Sequence, residues 1–180
     1  MLKKASAFAA LLVLLTCGHA FAQQPVAPWQ KFTSPEGRFS VLMPAKPVVE
    51  TKDVDSPVGK LTLYAYSASN NTGFFLASFG DYPAEPKDAA NAETVLDAVQ
   101  SGVLKGIEAE ASAGAKKISL GGFSGREFSA KKEMQGMKVV FNWRIYLAGR
   151  RLYQLAVVTQ DTAVPSPEIT KFFTSFDITR

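Results

Sequence analysis

Histidine and cysteine are nearly missing from this chain of 180 residues, which carries one of each, His19 and Cys17. Both fall in a leader that the sequence ends at Ala22, so everything after it has neither. Without imidazole or thiol, a Ser-His-Asp triad, a Cys-His pair and His- or Cys-ligated zinc lack their essential groups. Disulfides are excluded within residues 23–180, and stability must come from packing. A long hydrophobic run is also lacking. The longest, Ala5 to Leu15, falls far short of the roughly 20 residues that span a hydrocarbon core, which argues against a permanent transmembrane helix.

Acidic residues are absent before Glu36, and Lys3 and Lys4 precede the apolar run. Ala20-Phe21-Ala22 places small residues at both positions that a signal peptidase inspects, so cleavage is expected before Gln23. A rival reading takes Leu14-Leu15-Thr16-Cys17-Gly18 as a lipoprotein box, in which lipidated Cys17 would tether the chain to a membrane. Thr16 stands where Gly, Ala or Ser is usual before such a cysteine, which favours plain cleavage. The expected location is periplasmic or secreted, with lipid anchoring through Cys17 as the alternative.

No single charge sign dominates either. Once Lys3 and Lys4 leave with the leader, 18 basic residues face 16 acidic ones. The pairs Lys116-Lys117, Lys131-Lys132 and Arg150-Arg151 are scattered rather than clustered, and no nucleic-acid partner is expected. Three parts are expected: a signal peptide (1–22), a flexible Pro-containing tail (23–28) and one α+β domain (29–180).

What is there reads mainly as strand. Ser34-Pro35-Glu36-Gly37 predicts a turn, with Arg38–Met43 extended after it. Pro44 and Pro47 interrupt pairing at an edge or a crossing. Val48–Val54, Lys60–Ser67 and Phe74–Phe79 form a predicted meander, the last apolar on both faces. From Asp88 to Leu104 the period changes, and Ala92, Val95, Leu96, Val99, Val103 and Leu104 fall at helical spacing. Asp88 or Asn91 is the expected cap of that helix. Lys116–Leu120, Arg126–Met134, Val139–Leu147 and Leu152–Thr159 then return to strand, with turns at Gly121-Gly122, Gln135-Gly136 and Gly149-Arg150. Ser166-Pro167-Glu168 starts a second helix, whose Ile169, Phe172, Phe173 and Phe176 share one face. Two helices against about eight strands joined by short turns predict α+β with a twisted, mainly antiparallel sheet.

Few residues carry a chemical signature. Ser129-Ala130-Lys131-Lys132 matches the S-x-x-K of penicillin-binding enzymes but lies in a predicted strand, where i and i+3 point to opposite faces. Gly121-Gly122-Phe123-Ser124-Gly125-Arg126 lacks the G-K-[ST] of a phosphate loop and reads as a turn between strands. Asp53 with Asp55, or Glu108 with Glu110, would be the carboxylate pairs of a hydrolase. No catalytic, cofactor-binding or metal-ligating residue is assigned. The candidate binding surface is Asn142, Arg144 and Tyr146 on the even-numbered face of the long strand, extended by Gln154 from the next; the same residues also suit the wet face of a half-covered sheet.

Trp29-x-x-Phe32-x-Ser34-x-Glu36-Gly37-x-Phe39-Ser40-Val41-x-x-Pro44-x-x-Pro47 resembles the opening of bacterial exported domains of the PsbP-like group. Gly122-x-x-Gly125-x-Glu127, the long hairpin and the terminal helix ending in Ser175-Phe176 are similar too, so the likeness runs from Trp29 to Ile178. It implies an antiparallel sheet flanked by helices, and non-catalytic assembly or binding at membranes. The expected function is an exported, non-catalytic binding or assembly domain with a periplasmic or envelope partner and no cofactor. The alternative is a carboxylate-dependent hydrolase acting on cell-envelope or extracellular polymers.

Overall fold

The computed structural model describes residues 28–56, 59–83, 89–109, 111–112, 114–161 and 166–179. The leader, Cys17, His19, Ala20, Ala22 and Gln23 lie outside these residues, as do Asp88, Glu110 and all but the last residue of the 23–28 tail. Ten strands and two helices follow in the order β1 (Gln30–Ser34), β2 (Phe39–Met43), β3 (Val48–Ser56), β4 (Gly59–Ser69), β5 (Phe74–Asp81), α1 (Ala89–Gly106), β6 (Lys116–Leu120), β7 (Phe123–Met134), β8 (Met137–Ala148), β9 (Arg151–Gln160), α2 (Pro167–Thr174) and β10 (Asp177–Ile178). The class is α+β, with every strand pair antiparallel.

Strands β3 to β9 make one seven-stranded sheet, ordered β3-β4-β5-β9-β8-β7-β6. The chain builds one half as the meander β3-β4-β5, then crosses the sheet as α1. It returns through the meander β6-β7-β8-β9, so that β9 closes against β5 at the centre. Phe74–Phe79, apolar on both sides, falls in β5, where a strand covered on two faces belongs. Pro44 and Pro47 mark a crossing: β2 pairs with β1 and β10 in a separate three-stranded sheet, and β3 opens the large one. The two-residue β10 carries no readable periodicity, which hid this second sheet.

Two-residue turns fix the registers. Gly121 and Gly122 both have positive φ (57° and 88°), which glycine adopts without strain, and they join Leu120 to its partner Phe123. Gly125 is no turn residue but lies inside β7. A Cβ there would stand 2.4 Å from the Ile145 carbonyl oxygen and 2.7 Å from Cδ1 of Tyr146, so the missing side chain lets that ring lie on the strand.

Each face of the large sheet has its own core. Leu96, Val99 and Val103 of α1 and Ile107 just after it bury against Phe128, Phe141, Trp143 and Ile145, with the Trp143 ring stacked on Phe128 and Phe141. Arg126 sits beneath this helix, 3% exposed, and its guanidinium reaches Glu93 Oε2 at 2.7 Å and Asp97 Oδ1 at 2.8 Å. The other face receives α2 and the small sheet. Ser166 caps α2 by accepting from Glu168 N, Pro167 occupies its first turn, and Phe172, Phe173 and Phe176 are buried, as their spacing predicts. Phe39 of β2 is fully buried there, with the rings of Phe32, Tyr66, Phe79, Tyr153 and Phe176 around it.

Phe39→Ala is expected to cost about 3–5 kcal/mol of unfolding free energy, by lost transfer and the cavity left behind; urea denaturation followed by Trp fluorescence measures it. Glu93 gives a pH dependence. Hydrogen bonds from Arg126 and then Lys117 hold its carboxyl down at about 2, against an ordinary 4.5. A carboxyl held lower in the folded than in the unfolded state stabilises the fold above the unfolded value, and loses that contribution as pH falls through the folded value. Wild type is therefore expected to exceed Glu93→Gln in Tm at neutral pH, with the gap closing between about pH 4.5 and 2.

Candidate functional site

The even-numbered residues of β8 point to the α2 face, and pairing carries their odd-numbered partners onto the same face. Register places Glu127 beside Arg144 and Ser129 beside Asn142 across β7, while Lys116 of β6 stands beside Glu127. Polar side chains thus line up across three strands of a sheet that is otherwise packed with aromatic rings. α2 runs over this strip, and a cleft of about 290 Å³ opens between them, lined from the helix by Ile169, Thr170 and Phe173.

Arg144 dominates the cleft. Its Nε donates to Glu127 Oε2 at 2.6 Å, and its guanidinium carbon lies 5.0 Å from the centroid of the Phe173 ring. The ion pair leaves one carboxylate in the cleft already neutralised, and Lys116 adds a cation at the rim. Asn142 lies next along the strand. Its Nδ2 amide is buried and has no hydrogen-bond partner. A buried donor left unpaired costs about 1–3 kcal/mol, so an acceptor brought to it recovers that amount.

A second polar cluster holds the helix start in place. Glu168 accepts from Trp29 Nε1, Asn70 Nδ2 and Thr72 Oγ1, and Lys171 lies over the Trp29 ring. Burial raises the Glu168 carboxyl, but these donors and Lys171 outweigh it and leave it below the ordinary range. This wall of the cleft is therefore tied to the β4–β5 turn and to the first described residues.

The four residues proposed from sequence divide. Asn142 and Arg144 meet in the cleft. Tyr146 shares their face but is core: its ring stacks on Phe176 at 5.9 Å and lies over Gly125, and burial pushes its phenol up. Gln154 is on the opposite face, because it pairs with Ile145 and Ser78. A two-residue turn at Gly149-Arg150 reverses parity, so an even residue of β9 joins the odd residues of β8. The strip is not the wet side of a half-covered sheet, since α2 and the small sheet cover this face. Lys116, Glu127, Ser129 and Thr170 escaped the sequence reading. The first three were within reach by counting pairs back from the Gln135-Gly136 and Gly121-Gly122 turns.

The other motifs resolve simply. Ser129 faces α2, whereas Lys132 points the other way and its Nζ donates to the Ile107 carbonyl. Asp53 accepts from Thr62 on the edge strand pair, and Glu108 pairs with Lys132 at the far side of the sheet. Among the described residues, no three His, Cys, Asp or Glu side chains gather where they could hold a metal ion. No described helix is long and apolar enough to cross a membrane.

No protein-family model matches the chain, and no curated protein matches it. Thirteen chains of known structure match it. One, from Bacteroides thetaiotaomicron, is 13% identical with a TM-score of 0.50, over 83% of this chain and 48% of that one. The present chain thus spans about half the length of that protein, and at this identity the likeness shows the fold alone. A Pseudomonas aeruginosa protein of unknown function is similar over 80% of this chain and 91% of that one, at 12% identity and a TM-score of 0.39.

Proposed function

We propose that the chain is an exported, non-catalytic binding or assembly domain of the bacterial envelope that receives an acceptor-bearing group of a partner protein in the α2 cleft. The unpaired Nδ2 of Asn142 beside Arg144 carries this reading. A carbonyl or carboxylate oxygen entering there would accept from the amide and face the guanidinium and Lys116. At about 290 Å³ the cleft suits one side chain or turn of a partner. Export rests on Lys3, Lys4, the apolar run and the Ala20-Phe21-Ala22 site before Gln23. The likeness to PsbP-like domains from Trp29 to Ile178 points the same way. The hydrolase alternative asks for two carboxylates across one cleft; among the described residues this one offers Glu127, which is tied up by Arg144.

Intact-mass analysis of the processed protein is expected to find a chain beginning at Gln23; a diacylated chain beginning at Cys17 would move the domain to a membrane surface. A photo-reactive residue in place of Thr170 is expected to yield one discrete envelope-protein adduct in intact cells. Asn142→Leu should reduce that adduct about tenfold, the effect of about 1.4 kcal/mol, while leaving Tm unchanged or higher. Absence of an adduct, or cleavage of a cell-wall polymer by the purified protein, would reject the binding reading.

A further inference from the structure

A second cleft, of about 510 Å³, opens on the same sheet face further along β8 and shares no lining residue with the first. Asn142 and Ala148, one from each lining, are six residues apart on β8, roughly 20 Å. Among the described residues, three arginines, Arg38, Arg150 and Arg151, line it together with a single carboxylate, Asp81. Arg151 is spoken for: Nε and Nη2 hold the two oxygens of Asp81 at 2.6 and 2.7 Å, and Nη1 donates to the Glu36 carbonyl. Arg38 and Arg150 are exposed, and among the described residues neither forms an ion pair. Both still act on Asp81, whose carboxyl is held below the usual range by the Arg151 hydrogen bonds, against burial, and then by the field of Arg151, Arg150 and Arg38.

Arg38 is also in an unusual backbone state. Its φ is 52°, in the left-handed region that glycine occupies freely and a side chain with a Cβ does not. The backbone is pinned on both sides, N to the Pro35 carbonyl and O to the Thr179 amide, so the conformation belongs to the fold. The chain places its longest cation where glycine would sit without strain, and that cation lines the cleft. Glu108 and Gln135 share this backbone state at other turns, so the charge in the cleft, not the φ angle, marks the site.

We propose that this cleft binds a phosphate group, the two unpaired arginines gripping its oxygens. Three guanidiniums against one carboxylate leave two net positive charges, which match a phosphate dianion, and the planar fork of arginine suits its oxygens better than an ammonium would. The volume exceeds that of phosphate alone, and Phe123 and Ile178 bound the rest. An ester with an apolar organic part fits this arrangement, whether a soluble phosphate ester or a lipid headgroup.

Thermal unfolding and titration calorimetry of the full domain with inorganic phosphate and phenyl phosphate test this, against chloride at equal ionic strength. Wild type is expected to bind both, with phenyl phosphate the tighter. Arg150→Ala should weaken binding by at least about tenfold. Arg38→Gly should do the same while Tm in chloride is unchanged or higher, because glycine relieves the left-handed position. A merely structural Arg38 would give the reverse, a lower Tm with the phosphate response intact. Equal phosphate-induced shifts in wild type and both variants would show a general salt effect and overturn the proposal. Co-sedimentation with phosphatidic acid but not phosphatidylcholine vesicles, lost in both variants, would assign the phosphate to a lipid. Calorimetric binding of phenyl phosphate without co-sedimentation would assign it to a soluble ester.

Discussion

The burial of Phe39 is the contact on which the rest of this molecule depends. The small sheet has three strands, one of them only two residues long, and could not hold its place by hydrogen bonds alone. Phe39 drives its ring between residues of β1, β4, β5, β9 and the segment after α2, so one side chain joins both sheets to the terminal helix. Polar contacts then set the angle. Tyr153 Oη donates to the Gly37 carbonyl, Ser34 and Tyr66 share a buried hydroxyl pair, and Ser175 Oγ accepts from Leu42 N. Both clefts flank the layer that this aromatic knot secures, and neither would have a fixed shape without it.

The two faces treat buried charge differently, and the difference marks the α2 face as the place of interest. Under α1, Arg126 is answered by two carboxylates from the helix above it, so the guanidinium serves as a clamp. Under α2, Arg144 is answered from its own sheet, and the helix offers a ring in place of a carboxylate. The neighbouring Asn142 amide receives nothing. On the proposed reading, that unpaired donor is what a partner's oxygen would meet.

Much of this fold was legible because the signals are local. Val139, Phe141, Trp143, Ile145 and Leu147 alternate over a whole strand, and Ser166-Pro167-Glu168 announces a helix in three residues. The site was half legible. Asn142 and Arg144 stand out as polar residues in an apolar strand, yet the reading that added Gln154 overlooked the parity change at a two-residue turn. Tyr146 could not be separated from the surface, because its burial depends on Phe176 and on the empty Cα of Gly125, both distant in the chain. The pairing of β10 with β2 lay beyond any local pattern.

The closure of the large sheet sets an order on how the chain can fold. Its central pair joins Asp81 to Arg151, 70 positions away, and Trp29 meets Glu168 across 139. The first meander therefore waits with an open, apolar β5 edge until nearly the last strand arrives. Sheets closed by such remote contacts fold slowly, over milliseconds to seconds. On the proposal that the chain is exported, slowness would be an asset: a polypeptide that has not yet closed its sheet is thin enough to be threaded across a membrane, and would become rigid only on the far side.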